Sequence, residues 1–214
     1  MKQYLLLVLV TMAFAFNVAE DKRTLSFESF DSIVISSSAD VYLSYGKEQK
    51  VVVSASEAQF DKLDLEVKRG SLQIKNKRNK GNNNWSWSKN EKRIQVYITL
   101  PTIKEIAISG SGDFVMEDEF NLPSLDIAIS GSGDVLLKKG SADEFHVSIA
   151  GSGDVESNLE TVNSEINISG SGDVDLLVEK RLEVNIAGSG DVTYKGNPDH
   201  VDVNSVGSGE VRKK

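Results

Sequence analysis

Five aspartates recur behind the same three small residues. Asp113, Asp134, Asp154, Asp173 and Asp191 each follow Gly-Ser-Gly, and Glu210 stands in a sixth copy. From first glycine to first glycine the steps are 21, 20, 19, 18 and 19 residues. If the copies stack as neighbouring strands, these carboxylates stand about 4.8 Å apart. Acids that close repel one another unless a cation or N–H donors relieve them. Two chemistries follow. Ca²⁺ takes about six to eight oxygens, which an Asp ladder with Ser111, Ser132 or Ser152 and backbone carbonyls could supply. Alternatively each Asp accepts backbone N–H groups and caps its turn, which needs no cofactor at all. The second is the favoured reading, and the repeat is not the calcium-binding nonapeptide, whose period is about half as long.

A second constellation lies in residues 77–93, which are polar, Asn-rich and basic and hold both tryptophans of the chain. Lys77, Arg78, Lys80, Lys89, Lys92 and Arg93 surround Trp85 and Trp87. Aromatic faces suit sugars and partner proteins, and the cations would attract acidic glycans. Trp85, Trp87, Lys89 and Arg93 are therefore the candidate binding residues. Strand-like flanks, Leu72 to Lys75 and Ile94 to Ile98, predict the tip of a long hairpin. The competing reading is a loop whose Trp pair folds back on the protein.

Catalytic chemistry finds little to work with. There is no cysteine and there are only two histidines. His146 falls in an outward register between Phe145 and Val147, and His200 is expected in a turn after Asn197-Pro198-Asp199. No Ser/His/Asp set or metal-spaced His pair appears, and segments such as Leu136 to Asp143 are too short to wall a cleft. A non-enzyme is expected, with a polysaccharide-active enzyme as the last alternative. The formal net charge of −8 argues against nucleic acid as a partner.

The elements that must position these residues are written in the same repeat. Two residues before each first glycine stand Ile108, Ile129, Ile149, Ile168 and Ile186, then Ser205. Four before it stand Ile106, Ile127, Val147, Ile166, Val184 and Val203, with small or polar residues between the columns. This period of two is a β-strand with one buried face. A second strand starts after the acid at Phe114, Val135, Val155, Val174, Val192 and Val211. A period near twenty leaves no room for a helix, so each copy is one coil of a solenoid. The expected fold is all-β: a right-handed parallel β-helix with a less regular, strand-rich N-terminal cap. Glycine is expected for positive φ at corners and for close approach of stacked backbones.

Residues 20–100 are the capping segment and 101–214 the six-coil solenoid, continuous with it. Within the cap, Ile33 to Val41 matches Ile106 to Phe114 with Ser37 and Ala39 in place of the glycines, a degenerate first copy. Gly46 and Arg69-Gly70 mark hairpin-like turns. The basic tail Arg212-Lys213-Lys214 is the only candidate cover for the other end.

Residues 1–19 read as a signal peptide. A short basic start precedes an apolar run from Tyr4 to Phe16, with Ala13-Phe14-Ala15 or Ala19 at the cleavage boundary. The run is shorter than the about 20 residues a membrane span needs, and no second one follows. Export without cysteine points to a bacterial periplasm or surface with no lipid-anchoring thiol.

These features together resemble a known family. The Ser-Gly-Ser-Gly-Asp coils, Phe30-Asp31-Ser32-Ile33-Val34-Ile35, Leu72-Gln73-Ile74, Leu100-Pro101 and Tyr194-Lys195-Gly196-Asn197-Pro198 are similar to the head GIN domain proteins, described as auto-transporter adhesins. The resemblance runs from about Phe27 to Val211. It implies a right-handed β-helix in exported proteins of Bacteroidetes-like bacteria, and it brings no established active-site residues. The expected function is a surface or periplasmic binding module for a glycan or protein. The alternative is a structural envelope protein that self-associates through solenoid ends.

Overall fold

The computed structural model describes residues 21–77 and 92–214. The expected signal segment and Trp85, Trp87 and Lys89 lie outside the described residues. The first half holds β1 (Asp21–Leu25), β2 (Ser32–Ser36), β3 (Asp40–Tyr45), β4 (Lys50–Ala55), α1 (Glu57–Phe60), β5 (Leu63–Lys68), β6 (Ser71–Asn76) and β7 (Gln95–Leu100). The repeats follow as β8 (Glu105–Ile108), β9 (Phe114–Met116), β10 (Phe120–Ile129), β11 (Val135–Ile149), β12 (Val155–Gly170) and β13 (Val174–Gly188). The chain closes with β14 (Val192–Lys195), β15 (His200–Gly207) and β16 (Val211–Lys213).

These strands stack in parallel, as the repeat predicts, and make a β-solenoid of about five turns. Ile35, Ile108, Ile129, Ile149, Ile168 and Ile186 are partners rung to rung and are at most 2% exposed. Val41, Phe114, Val135, Val155, Val174 and Val192 form the matching column beyond the corner. Burying each such side chain contributes roughly 2 kcal/mol, so the columns are the main cohesive element.

The coil has a third side that the two-strand reading missed. In β11 the buried positions run Val135 and Leu137, then Ala142, then Phe145, Val147 and Ile149. Each break in the alternation turns the chain through a corner without ending the strand. The broken spacing was visible in the sequence, but a period-two search treats it as noise.

Crowding, more than turning, explains Gly-Ser-Gly. The second glycine of each copy has no positive φ. Yet a Cβ on Gly133, Gly153 or Gly172 would lie 2.1–2.2 Å from the carbonyl oxygen of the equivalent glycine one rung back. Any side chain there strikes backbone.

The N-terminal region differs from the expected cap. β6 pairs in parallel with β2, and β7 in parallel with β3, so these two strands form a further rung below the first copy. Only β1, β4, α1 and β5 terminate the stack, through antiparallel pairing of β5 with β6 and of β4 with β7 and β1. The strands on either side of residues 77–93 are therefore not the arms of one hairpin. These strands, β6 and β7, sit on different sides of the coil, because Leu72 and Ile74 match Ile33 and Ile35 while Val96 and Ile98 match Val41 and Leu43. Likewise Gly46 joins no hairpin, since β7 lies between β3 and β4. Arg69 and Gly70, at φ 53° and 77°, do close a two-residue hairpin from β5 to β6.

Helix α1 had a sequence signal, Ser56 with Gln59 three residues on. Buried Gln59 accepts the Ser56 N–H at 2.8 Å and donates to the Lys92 carbonyl at 2.7 Å, tying the cap to the start of β7. A second tie joins the Lys104 ammonium to Asp31 at 2.5 Å. Hydrogen bonding to Lys104 is the largest of the effects that hold the Asp31 carboxyl below its ordinary value. A depressed carboxyl contributes stability that is present above its unfolded pKa and lost as pH falls through the folded one. Lys104→Met should therefore lower the melting temperature slightly at neutral pH and leave it unchanged in strong acid, as a thermal melt series across pH would show.

Candidate functional site

The acidic column runs straight along one corner of the solenoid. Each Asp sits one residue before the second-side strand, so parallel stacking brings the six carboxylates into line. Asp113 Oδ1 accepts the Asp134 N–H at 3.1 Å, Asp134 that of Asp154 at 2.9 Å, and Asp154 that of Asp173 at 2.8 Å. Asp173 and Asp191 continue the chain to Asp191 N–H at 2.7 Å and Glu210 N–H at 2.8 Å. Asp40, in the degenerate first copy, reaches the Asp113 N–H at 3.3 Å. One oxygen of every Asp thus satisfies a backbone donor in the next rung.

An arginine brackets the column at each end. Arg93 Nη1 stands 2.9 Å from Asp40 Oδ1 and 3.1 Å from Asp113 Oδ2. Its hydrogen bond to Asp40, then the charge of Asp40, raise its pKa above the ordinary guanidinium value. At the far end Arg212 binds Glu210 Oε2 at 2.5 Å and lies 3.7 Å from Asp191 Oδ2. Among the described residues, no three acids or histidines converge to hold a metal ion.

Two measurements separate turn capping from cation binding. Asp154→Ala should cost about 1 kcal/mol, a lost hydrogen bond partly replaced by water. Asp154→Asn keeps an acceptor and should be nearly neutral. A melting temperature indifferent to millimolar Ca²⁺ is expected; a rise abolished by Asp154→Asn would give the column to the cation.

Arg93 is the one candidate binding residue among those described, and it is committed to the acidic column rather than aimed at solvent alone. Its position is informative. Asp40 N–H donates to the Ile94 carbonyl at 2.9 Å, so the end of the basic segment rests on the corner of the next rung. β6 therefore ends, and β7 begins, on either side of the corner column that Gly-Ser-Gly closes in the repeats above.

Beside that corner lies an outward column that the sequence reading did not single out. Val52, Tyr97, Tyr42, Val115 and Leu136 are rung-to-rung partners and all half-buried. The Tyr42 and Tyr97 rings stack at 5.3 Å, Lys22 lies over Tyr97, and the Tyr97 hydroxyl donates to Gln95 at 2.9 Å. The signal was alternation itself: Tyr42 and Tyr97 occupy the outward phase where the later coils carry Glu156 and Asp175.

The two histidines play no part in this corner. His146 is outward, as expected, with Nδ1 2.9 Å from Asp126 Oδ1. His200 opens β15 rather than lying in a turn, because residues 200–207 extend the column of β13.

The family model described as "Putative auto-transporter adhesin, head GIN domain" matches residues 29–198. The chain belongs to this family. The match covers the corner, both bracketing rungs of the basic segment and five of the repeats. Comparison with curated proteins gives no match. Among solved structures, a "putative adhesin" from Bacteroides fragilis has 20% identity over 91% of this chain and 96% of its own, with a TM-score of 0.75. A "putative adhesin" from Parabacteroides merdae has 14% identity over 92% and 97%, with a TM-score of 0.57. A "putative lipid binding protein" from Parabacteroides distasonis has 24% identity over 92% and 98%, with a TM-score of 0.55. At these identities the likeness shows the fold alone, shared over nearly the whole length of this chain and of each of the three.

Proposed function

We propose that this head GIN protein is an exported, non-enzymatic binding module of a bacterial periplasm or cell surface. It recognises a glycan or protein partner through the segment 77–93, with Trp85 and Trp87 as the contact residues and Lys89 as an accessory cation. The observation that carries this reading is the corner itself. In the repeats three small residues and an acid separate the two strands, whereas between β6 and β7 the sequence carries the 17-residue segment 77–93 with both tryptophans and six cations. A closed corner needs none of that chemistry, so the extra length has a use outside the fold.

The family description supports an adhesin-like role, and the half-buried Tyr42–Tyr97 column gives the corner an aromatic flank. Arg93 acts in this reading as an anchor, holding one end of the segment to Asp40 and Asp113. The test is binding of the purified protein to an array of bacterial and host glycans, beside a Trp85→Ala/Trp87→Ala double variant. Specific binding that the double variant loses by tenfold or more is expected. Binding that survives the substitutions moves the site elsewhere, and an absence of binding to any glycan removes glycans as the ligand class. Phospholipid vesicles belong on the same array, given the name of the Parabacteroides distasonis structure.

A further inference from the structure

The two ends of the solenoid are finished differently. At the N-terminal end, β5 and β4 run antiparallel to the coils, β1 pairs antiparallel with β4, and Phe27, Phe60, Leu65 and Val67 pack against the core. At the other end β15 pairs with β13 alone among the described residues, and every residue of it is exposed. Val201 and Val203 are each 44% exposed, although their column partners Leu182 and Val184 are fully buried. With Val206 at 71%, β15 carries three of the four exposed large hydrophobic side chains among the described residues. An open strand edge with apolar side chains is a template for another strand.

We propose that this rung is a self-association surface, on which a second copy of the chain seats its own β15 antiparallel across a two-fold axis. The pattern of the strand is complementary to itself. Side chains directly opposite in an antiparallel pair share a face, so inward Val203 must meet an inward residue. Centred on Val203, the pairing sets Val203 against Val203, Val201 against Ser205 and Asp202 against Asn204. Centred on Asp202, it would set two carboxylates face to face, which is unfavourable. Head-to-tail growth is disfavoured as well. It would place β15 on β5, whose outward Asp64 and Glu66 confront Asp202 and whose Leu65 and Val67 are already packed. A two-fold contact closes, so assembly stops at two copies.

The absence of native cysteine makes the register testable. Sedimentation of the purified protein across concentration should show a reversible dimer, and Val203→Lys should give a monomer with unchanged circular dichroism. Under mild oxidation Val203→Cys should cross-link into dimers. Val201→Cys should not, because its copies lie about 14 Å apart, beyond the roughly 7 Å that a disulfide spans. A monomer at every concentration, growth past two copies, or equal cross-linking of both variants would overturn the proposal. None of these readouts depends on the ligand of the basic corner.

Discussion

Gly172→Ala is expected to lower the stability of the protein by about 3 kcal/mol, the upper end of the cost of overpacking. The new methyl carbon would lie 2.2 Å from the Gly153 carbonyl oxygen and 3.0 Å from Ile149 Cγ2. Backbone cannot swing aside as a long side chain can, so the two rungs must separate locally and stretch the Asp154 to Asp173 hydrogen bond. Because φ at Gly172 is not positive, the loss isolates stacking from backbone strain. Ser171→Ala, one residue away and exposed, should change stability by less than about 0.5 kcal/mol. Urea unfolding of the two variants decides it. Equal, small losses would mean that the rungs are looser than the structure describes.

Phe145→Ala should cost about 4 kcal/mol, within the range for emptying a buried aromatic site. Phe145 is fully buried, between Leu125 on one rung and Ser164 on the next. Ser164 is small and spends its hydroxyl on Thr161 at 2.7 Å, and Thr161 in turn donates to the Leu177 carbonyl at 2.6 Å. The large ring beside a small neighbour fills volume that no adjacent side chain can reclaim, so the cavity would persist. Phe145→Leu should recover more than half of the loss. A calorimetric or urea comparison of the two substitutions checks the ranking, and equal losses would point to collapse of the site.

How much of this was legible beforehand depends on the rung. The isoleucine and valine columns name their own partners, because a regular repeat converts sequence spacing directly into stacking. Ser37 and Ala39 could be placed in the glycine columns from the flanking Ile33, Ile35 and Val41. The fate of residues 71–100 was not legible. Leu72-Gln73-Ile74 and Val96-Tyr97-Ile98 have the alternation of hairpin arms, and nothing local says that each will insert between two strands made earlier in the chain, one of the coil and one of the cap. That choice belongs to long-range pairing, where Val96 and Ile98 bury more against Val41, Leu43, Val51 and Val53 than they could against each other. The role of the Asp column was foreseen in kind, as acceptors of backbone N–H groups. Its direction, always to the next rung, and the arginine at each end needed coordinates. Arg93 looked like part of a free binding tip because its two acids lie 53 and 20 residues away in sequence.

The most direct test of the central claim is to replace residues 78–91 with a short Gly-Ser linker, which keeps Lys92 and Arg93, and to measure folding and ligand binding on the same sample. If the segment is recognition chemistry, the shortened chain keeps its β-sheet circular dichroism and a cooperative melt, and it loses glycan or protein binding entirely. A shortened chain that binds as well as the parent would contradict this account and place the site on the solenoid faces.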